Sequence, residues 1–159
     1  MINIGALTDL VLVYLRDQTE QLVGDGLAPD GGGWLNGQPN SGIFVPYITL
    51  NGQGAVQKFS SVDTLESAIL SWEVLYHLHG HGGSRSQADW IAHRGRTACP
   101  GMTGLSFGDD DGSGDLNSYR IIATDLKSVS PTARNMSVDP PFWTVVDTFS
   151  FIVSRTRNA

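Results

Sequence analysis

Between Leu70 and Leu78 the chain alternates: Leu70, Trp72, Val74, Tyr76 and Leu78 stand at every second position, with Ser71, Glu73, His77 and His79 between them. Successive side chains of a β-strand point to opposite faces, so this spacing predicts a strand over 68–78 with one apolar and one polar side. Such a strand belongs in a sheet with one covered face, and something apolar must supply the cover.

Two amphipathic helices are the candidates for that cover. Over 5–23, Leu7, Leu10, Val11, Tyr14, Leu15 and Leu22 recur at helical spacing, with Asp9, Arg16, Asp17 and Glu20 largely opposite and Gly24 as the stop. Ser84 and Gln87 form a capping box for a second helix that Pro100-Gly101 ends. Its stripe of Ala88, Ile91, Ala92 and Gly95 is small enough to lie close on a sheet. Further strands are expected at Ile43–Leu50, with Pro46 favouring an edge or an end, and near Tyr119–Leu126. A final strand spans Phe142–Val153, where Trp143, Val145, Phe149, Phe151 and Val153 line one face and Asp147 breaks the stripe. Asn51-Gly52 signals a tight turn, leaving 55–59 as a weak strand or loop arm. The expected class is α+β: a mainly antiparallel sheet with two helices on one face, in the order α-β-β-α-β-β, as one domain over 1–159 with long loops.

Those loops hold much of the glycine. The stretch 25–42 has six glycines and two prolines, and connections of that length inside a compact domain are commonly functional. Trp34 within it is an anchor, packing either on its own domain or on a partner. The chain has 159 residues, enough for a core, and 40% of them are hydrophobic, which excludes a disordered tail. Its net charge of −6 excludes a basic phosphate-gripping surface. That charge is compatible with a protein that DNA slides past. The longest apolar run stops at Arg16, so no membrane span is expected. The N-terminus has no secretory signal pattern. The single cysteine, Cys99, is expected to be a half-buried residue at a helix end and suits a reducing compartment.

Three constellations bear on chemistry. His77 and His79 point the same way on the strand, with His81 and His93 nearby and Glu73 on the same face. They offer two imidazoles to zinc in a metal-dependent hydrolase, or are simply the polar side of the sheet meeting solvent or a neighbouring subunit. In Asp109–Asp115, a calcium loop would place Arg120 where a bidentate glutamate is required, so that reading fails and an acidic connection remains. Arg94 and Arg96 beside His93 are either a small basic patch or solvated charges on an outer helix face. The chain carries no phosphate-binding glycine loop, because Gly24-Asp25-Gly26 follows a helix and not a strand. No catalytic residue, cofactor or bound metal is expected.

The order of elements resembles the tail-terminator proteins of long-tailed phages, especially those of actinobacterial hosts. The resemblance rests on the N-terminal helix running into Val23–Trp34, the strand Ile43–Leu50, the strand end His77-Leu78-His79-Gly80-His81 and the helix Ser84–Ala92. It extends from about Leu7 to Val153. It implies a non-enzymatic virion protein that forms a ring, expected to be a hexamer, on the head-proximal end of the tail tube. That ring stops tube polymerisation and offers a surface to the head–tail connector, with DNA passing through its lumen. A neighbouring head-completion protein of the neck is the alternative within the same class. The expected contact arms are 25–42 and 53–66, with Asp25, Pro29, Asp30, Trp34, Lys58 and Phe59 as candidate interface residues, and the acidic 109–115 segment facing lumen or solvent.

Overall fold

The computed structural model describes residues 2–35, 43–59, 70–110, 116–136 and 141–156. The elements run α1 (Ile4–Thr19), β1 (Leu22–Asp25), β2 (Gly33–Trp34), β3 (Phe44–Val45), β4 (Tyr47–Phe59), β5 (Leu70–Gly82), α2 (Arg85–Ala98), a 3-10 turn (Cys99–Met102), β6 (Ser106–Asp110), β7 (Leu116–Val129), β8 (Ala133–Asn135) and β9 (Phe142–Thr156). The main sheet has the order β1-β4-β5-β9-β7-β6, with β8 also on β9. Among the described residues, only the β1–β4 pair is parallel. This is the expected α+β class, with short strands interleaved among the principal elements.

The alternation in β5 predicts its faces correctly. Trp72, Val74, Tyr76 and Leu78 are buried in one cluster with Leu7, Val11 and Leu15 of α1, Ile91 of α2, and Phe149, Phe151 and Val153 of β9. Both helices therefore cover the same side of the sheet. Tyr76 meets Phe151 edge-on at 5.6 Å, and its hydroxyl shares a 2.9 Å hydrogen bond with Thr8.

Helix α1 stops earlier than its periodicity suggests. Glu20 is left-handed (φ 56°), its N–H bonds back to the Arg16 carbonyl, and Leu22 and Val23 go into β1 instead of a last turn. In α2 one half of the capping box forms, Ser84 Oγ accepting from the Gln87 N–H, while Gln87 Oε1 reaches one residue further back and accepts from the Gly83 N–H at 2.8 Å. The small stripe of α2 lies against glycines of β5. A Cβ on Gly80 would stand 3.1 Å from Ala92, and one on Gly82 would collide with the backbone of Gln87 and Ala88. Gly82→Ala is expected to destabilise by about 1–3 kcal/mol, because α2 must be pushed off the sheet. Gly52→Ala, with its nearest neighbour at 3.7 Å, should stay within about 0.5 kcal/mol, and urea titration of the two variants reads the difference.

Three sequence expectations are corrected. Asn51-Gly52 is not a hairpin turn: Asn51 pairs with His77 and Gly52 with Tyr76, and β4 continues to Phe59. The strand absorbs Gln53 and Gly54 as an irregularity, with Gly54 at φ +100°. Eleven rungs to β5 outweigh one local turn preference. Asp109 and Asp110, expected to begin an acidic connection, instead end the strand β6, which forms a hairpin with β7. Cys99 is fully buried, and burial first, then Asp147, raises its thiol far above the usual range. That makes it an inert core residue.

Candidate assembly interface

The helix-free face is built from the odd residues of β5 and the even residues of β9. Strand register places Ser71, Glu73, Leu75, His77 and His79 level with Ser154, Ile152, Ser150, Thr148 and Val146. These central strands thus present hydroxyls, imidazoles, one carboxylate and the aliphatic Leu75, Ile152 and Val146, and no Lys or Arg. Glu73 is held by the Ser150 hydroxyl at 2.9 Å. At about 3.3 Å per residue, the 13-residue β5 makes this face roughly 43 Å long.

The histidines form a row along it, with ring centroids 6.2 Å apart for His77–His79 and 6.0 Å for His79–His81. Glu73 shares their face, as expected, but stands four residues from His77, roughly 13 Å along the strand. His81 is committed elsewhere. It is buried between β4 and β9, with Nε2 3.0 Å from Thr49 Oγ1 and Nδ1 3.1 Å from Thr144 Oγ1. Tyr47 and Phe142 pack on its ring at 4.5 and 5.2 Å. Burial first, and then His79, pulls its pKa down to about 4, and burial and His77 lower that of His79. Among the described residues no three His, Cys, Asp or Glu side chains are grouped as metal ligands. Beside the row lies an open groove of about 500 Å³, bordered by His79, His81, Arg134, Thr144 and Val146.

The predicted contact residues separate into two sets. Asp25 ends β1 and Asp30 follows it, both exposed, whereas Pro29 is half-buried beneath Gly24. Trp34 packs on its own chain: it belongs to β2, paired with β3, and meets Phe44 edge-on at 5.1 Å. Lys58 and Phe59 lie on β4, opposite Ser71 and Leu70, far along the sheet from the 25–34 segment. The rest of both expected arms, 36–42 and 60–66, lies outside the described residues, as does 111–115 of the acidic run. Asp109 and Asp110 extend β6 opposite Asn117 and Leu116.

Arg94 and Arg96 are not a solvated patch. Arg94 donates from Nε and Nη2 to the Thr19 carbonyl at 3.1 and 2.8 Å, joining α2 to the end of α1. Arg96 grips buried Asp147 with both oxygens engaged, at 2.7 and 3.1 Å. The charge that interrupts the apolar stripe of β9 is therefore half of an ion pair between helix and sheet. Asp147 marked the position in the sequence; its partner, 51 residues away, was not legible.

The sheet also has two open edges. β1 covers the outer side of β4 only at Tyr47–Leu50, and β6 covers the outer side of β7 only at Leu116–Arg120. Leu105 and Gly104 extend that cover to Ile121. Among the described residues, no strand pairs with the outer edges over 51–59 and 122–129. Both carry exposed apolar side chains: Val56 (63%) on one, and Ile122 (50%), Leu126 (42%) and Val129 (46%) on the other.

The chain matches no family model. It matches no curated protein either. Among solved structures, it is similar to a chain of the "Virion of native gene transfer agent (GTA) particle", with 16% identity, a TM-score of 0.49, and coverage of 94% of this chain and 96% of that one.

Proposed function

We propose that this protein is a structural virion protein, the tail terminator of a long-tailed phage, acting by binding geometry. One observation carries the reading: a long sheet face, away from both helices, whose two central strands present hydroxyls, imidazoles, one carboxylate and aliphatic side chains but no Lys or Arg, the cations Arg120 and Lys127 lying on the flanking β7. Turned inward in a ring, the middle of such a face forms a lumen wall with little hold on DNA, since affinity for phosphate comes from Lys and Arg. The helical layer then faces outward. The element order that resembles tail terminators supports the same reading.

In this arrangement about six copies close into a ring through a heterologous contact, one flank of each copy meeting the opposite flank of the next. One rim of the ring seats on the last ring of tail-tube protein, and the other faces the connector. The exposed Asp25 and Asp30 belong to one rim, with Pro29 and Trp34 stiffening the segment behind them, while Lys58 and Phe59 belong to the far end of the β4 arm. No cofactor and no metal enter the mechanism.

Native mass spectrometry of the purified protein, with negative-stain imaging after mixing with tail tubes, tests this. The expected result is a closed ring that caps one end of the tubes and stays with tails purified without heads. Co-purification with heads instead would transfer the protein to the neck. A monomer that ignores tubes would defeat the reading altogether.

A further inference from the structure

We infer that neighbouring copies join through their backbones, the free edge of β4 in one copy pairing antiparallel with the free edge of β7 in the next, so that the sheet runs on from subunit to subunit. The inference rests on the ring reading above and names its contact.

The geometry comes from strand direction and level. β4, β5, β9 and β7 are each antiparallel to the next, so β4 and β7 run in opposite directions. A second copy set beside the first in the same orientation therefore brings its β7 antiparallel to β4. Their free stretches also stand at the same height. Val74 pairs with Ala55 on one side and Phe151 on the other, and Phe151 pairs with Thr124, which puts Ala55 and Thr124 on one rung at opposite flanks. An edge that matches its own opposite edge in both direction and level is what a heterologous, repeating contact requires.

The edge chemistry agrees. Exposed edges are normally blunted by charge or proline. The stretch 51–59 contains no proline and one charged residue, Lys58. In 122–129 there is no proline, and the two charges, Asp125 and Lys127, pair with each other at 2.9 Å. Val56, Leu126 and Val129 are exposed there, and a neighbouring strand would cover them. Register shifts at Gly52/Ala55, Ile121/Ala123 and Leu126/Ser128 bend both edge strands, as a curved wall needs. They leave 55–59 and 123–126 as the regular stretches for the ladder.

Paired cysteines test the contact. Within one chain β4 and β7 are three strand spacings apart, about 14 Å, too far for a disulfide. Cys99 is fully buried and does not compete. Cysteines at 55, 56 or 57 combined with cysteines at 123, 124 or 125 are expected to oxidise, at one register, into a ladder of covalent multimers ending at the ring size. Each single variant should stay uncross-linked, because its cysteine then faces no cysteine in the neighbouring copy. Amide exchange of the unmodified protein gives a second readout: amides at 55–57 and 123–126 should slow at least about tenfold between dilute monomer and ring. Rings that form with no cross-link at any register and no added protection would overturn the edge pairing and leave the terminator reading standing. Covalent multimers that ignore tail tubes would uphold the pairing and remove the terminator reading. A protein that is monomeric at every concentration overturns both.

Discussion

Arg96→Ala is expected to destabilise the protein by about 3–5 kcal/mol, the largest effect of any single surface-reaching side chain here. Asp147 is almost wholly buried on β9, and Arg96 satisfies both of its oxygens from α2. Deleting the guanidinium leaves a carboxylate in the core with nothing to offset its desolvation. Burial already raises the Asp147 pKa against the opposing pull of Arg96. Without Arg96 it rises further. A carboxyl group whose folded pKa lies above its unfolded value contributes stability that is present at low pH and lost as pH rises through the folded pKa. The Arg96→Ala deficit should therefore shrink as pH falls from 7.5 towards the ordinary carboxylate value of 3.8. The double variant Arg96→Met/Asp147→Leu should recover most of the loss, because an apolar pair of similar volume has no charge to bury. Urea titrations of the three proteins at two pH values decide it. A single variant as stable as the parent at pH 7.5 would show that the pair contributes nothing.

Acid should act through His81. Its folded pKa of about 4 lies below the ordinary 6.5 because the ring is buried between Thr49, Thr144, Tyr47 and Phe142, with His79 adding repulsion. Here the unfolded chain binds the proton first. The stability His81 confers is complete above pH 6.5, is lost as pH falls from 6.5 towards 4, and changes no further below that. A shift of this size corresponds to about 3 kcal/mol across the window. His79, shifted the same way, adds to the slope, and Asp147 opposes it at the acid end. His81→Gln should flatten the stability–pH curve between 6.5 and 4, even if it lowers stability at pH 7.5. An unchanged slope in that variant would assign the acid sensitivity to other groups. On the ring reading, weakening this join between β4, β5 and β9 also loosens the wall, so rings should dissociate over the same interval.

The residues that the sequence made legible are those whose physics is local. The two-residue period of β5 separates a core face from a polar face whatever the strand pairs with, because adjacent side chains cannot point the same way. The Ser84–Gln87 cap depends on groups three residues apart, and the small stripe of α2 announces a close approach. With the two amphipathic helices, these were enough to derive the α+β class, the common side of the helices and the existence of a polar face. The candidate contact residues were legible only as loop composition. Trp34 proved to be tied to Phe44, a contact that composition does not specify.

Tertiary structure decided whatever depends on a distant partner. β4 passes through Asn51-Gly52 because β5 offers it a ladder. α1 yields Leu22 and Val23 to β1 because β4 lies beside them. Arg96 looks like an exposed helix charge until Asp147 is brought beneath it. The open edges of β4 and β7 have no local signature at all: an edge is open because its cover ends, and where the cover ends is set by sheet order and register. Local pattern determined what each segment is, while long-range pairing, with its much larger summed energy, determined which surfaces were left to meet another molecule.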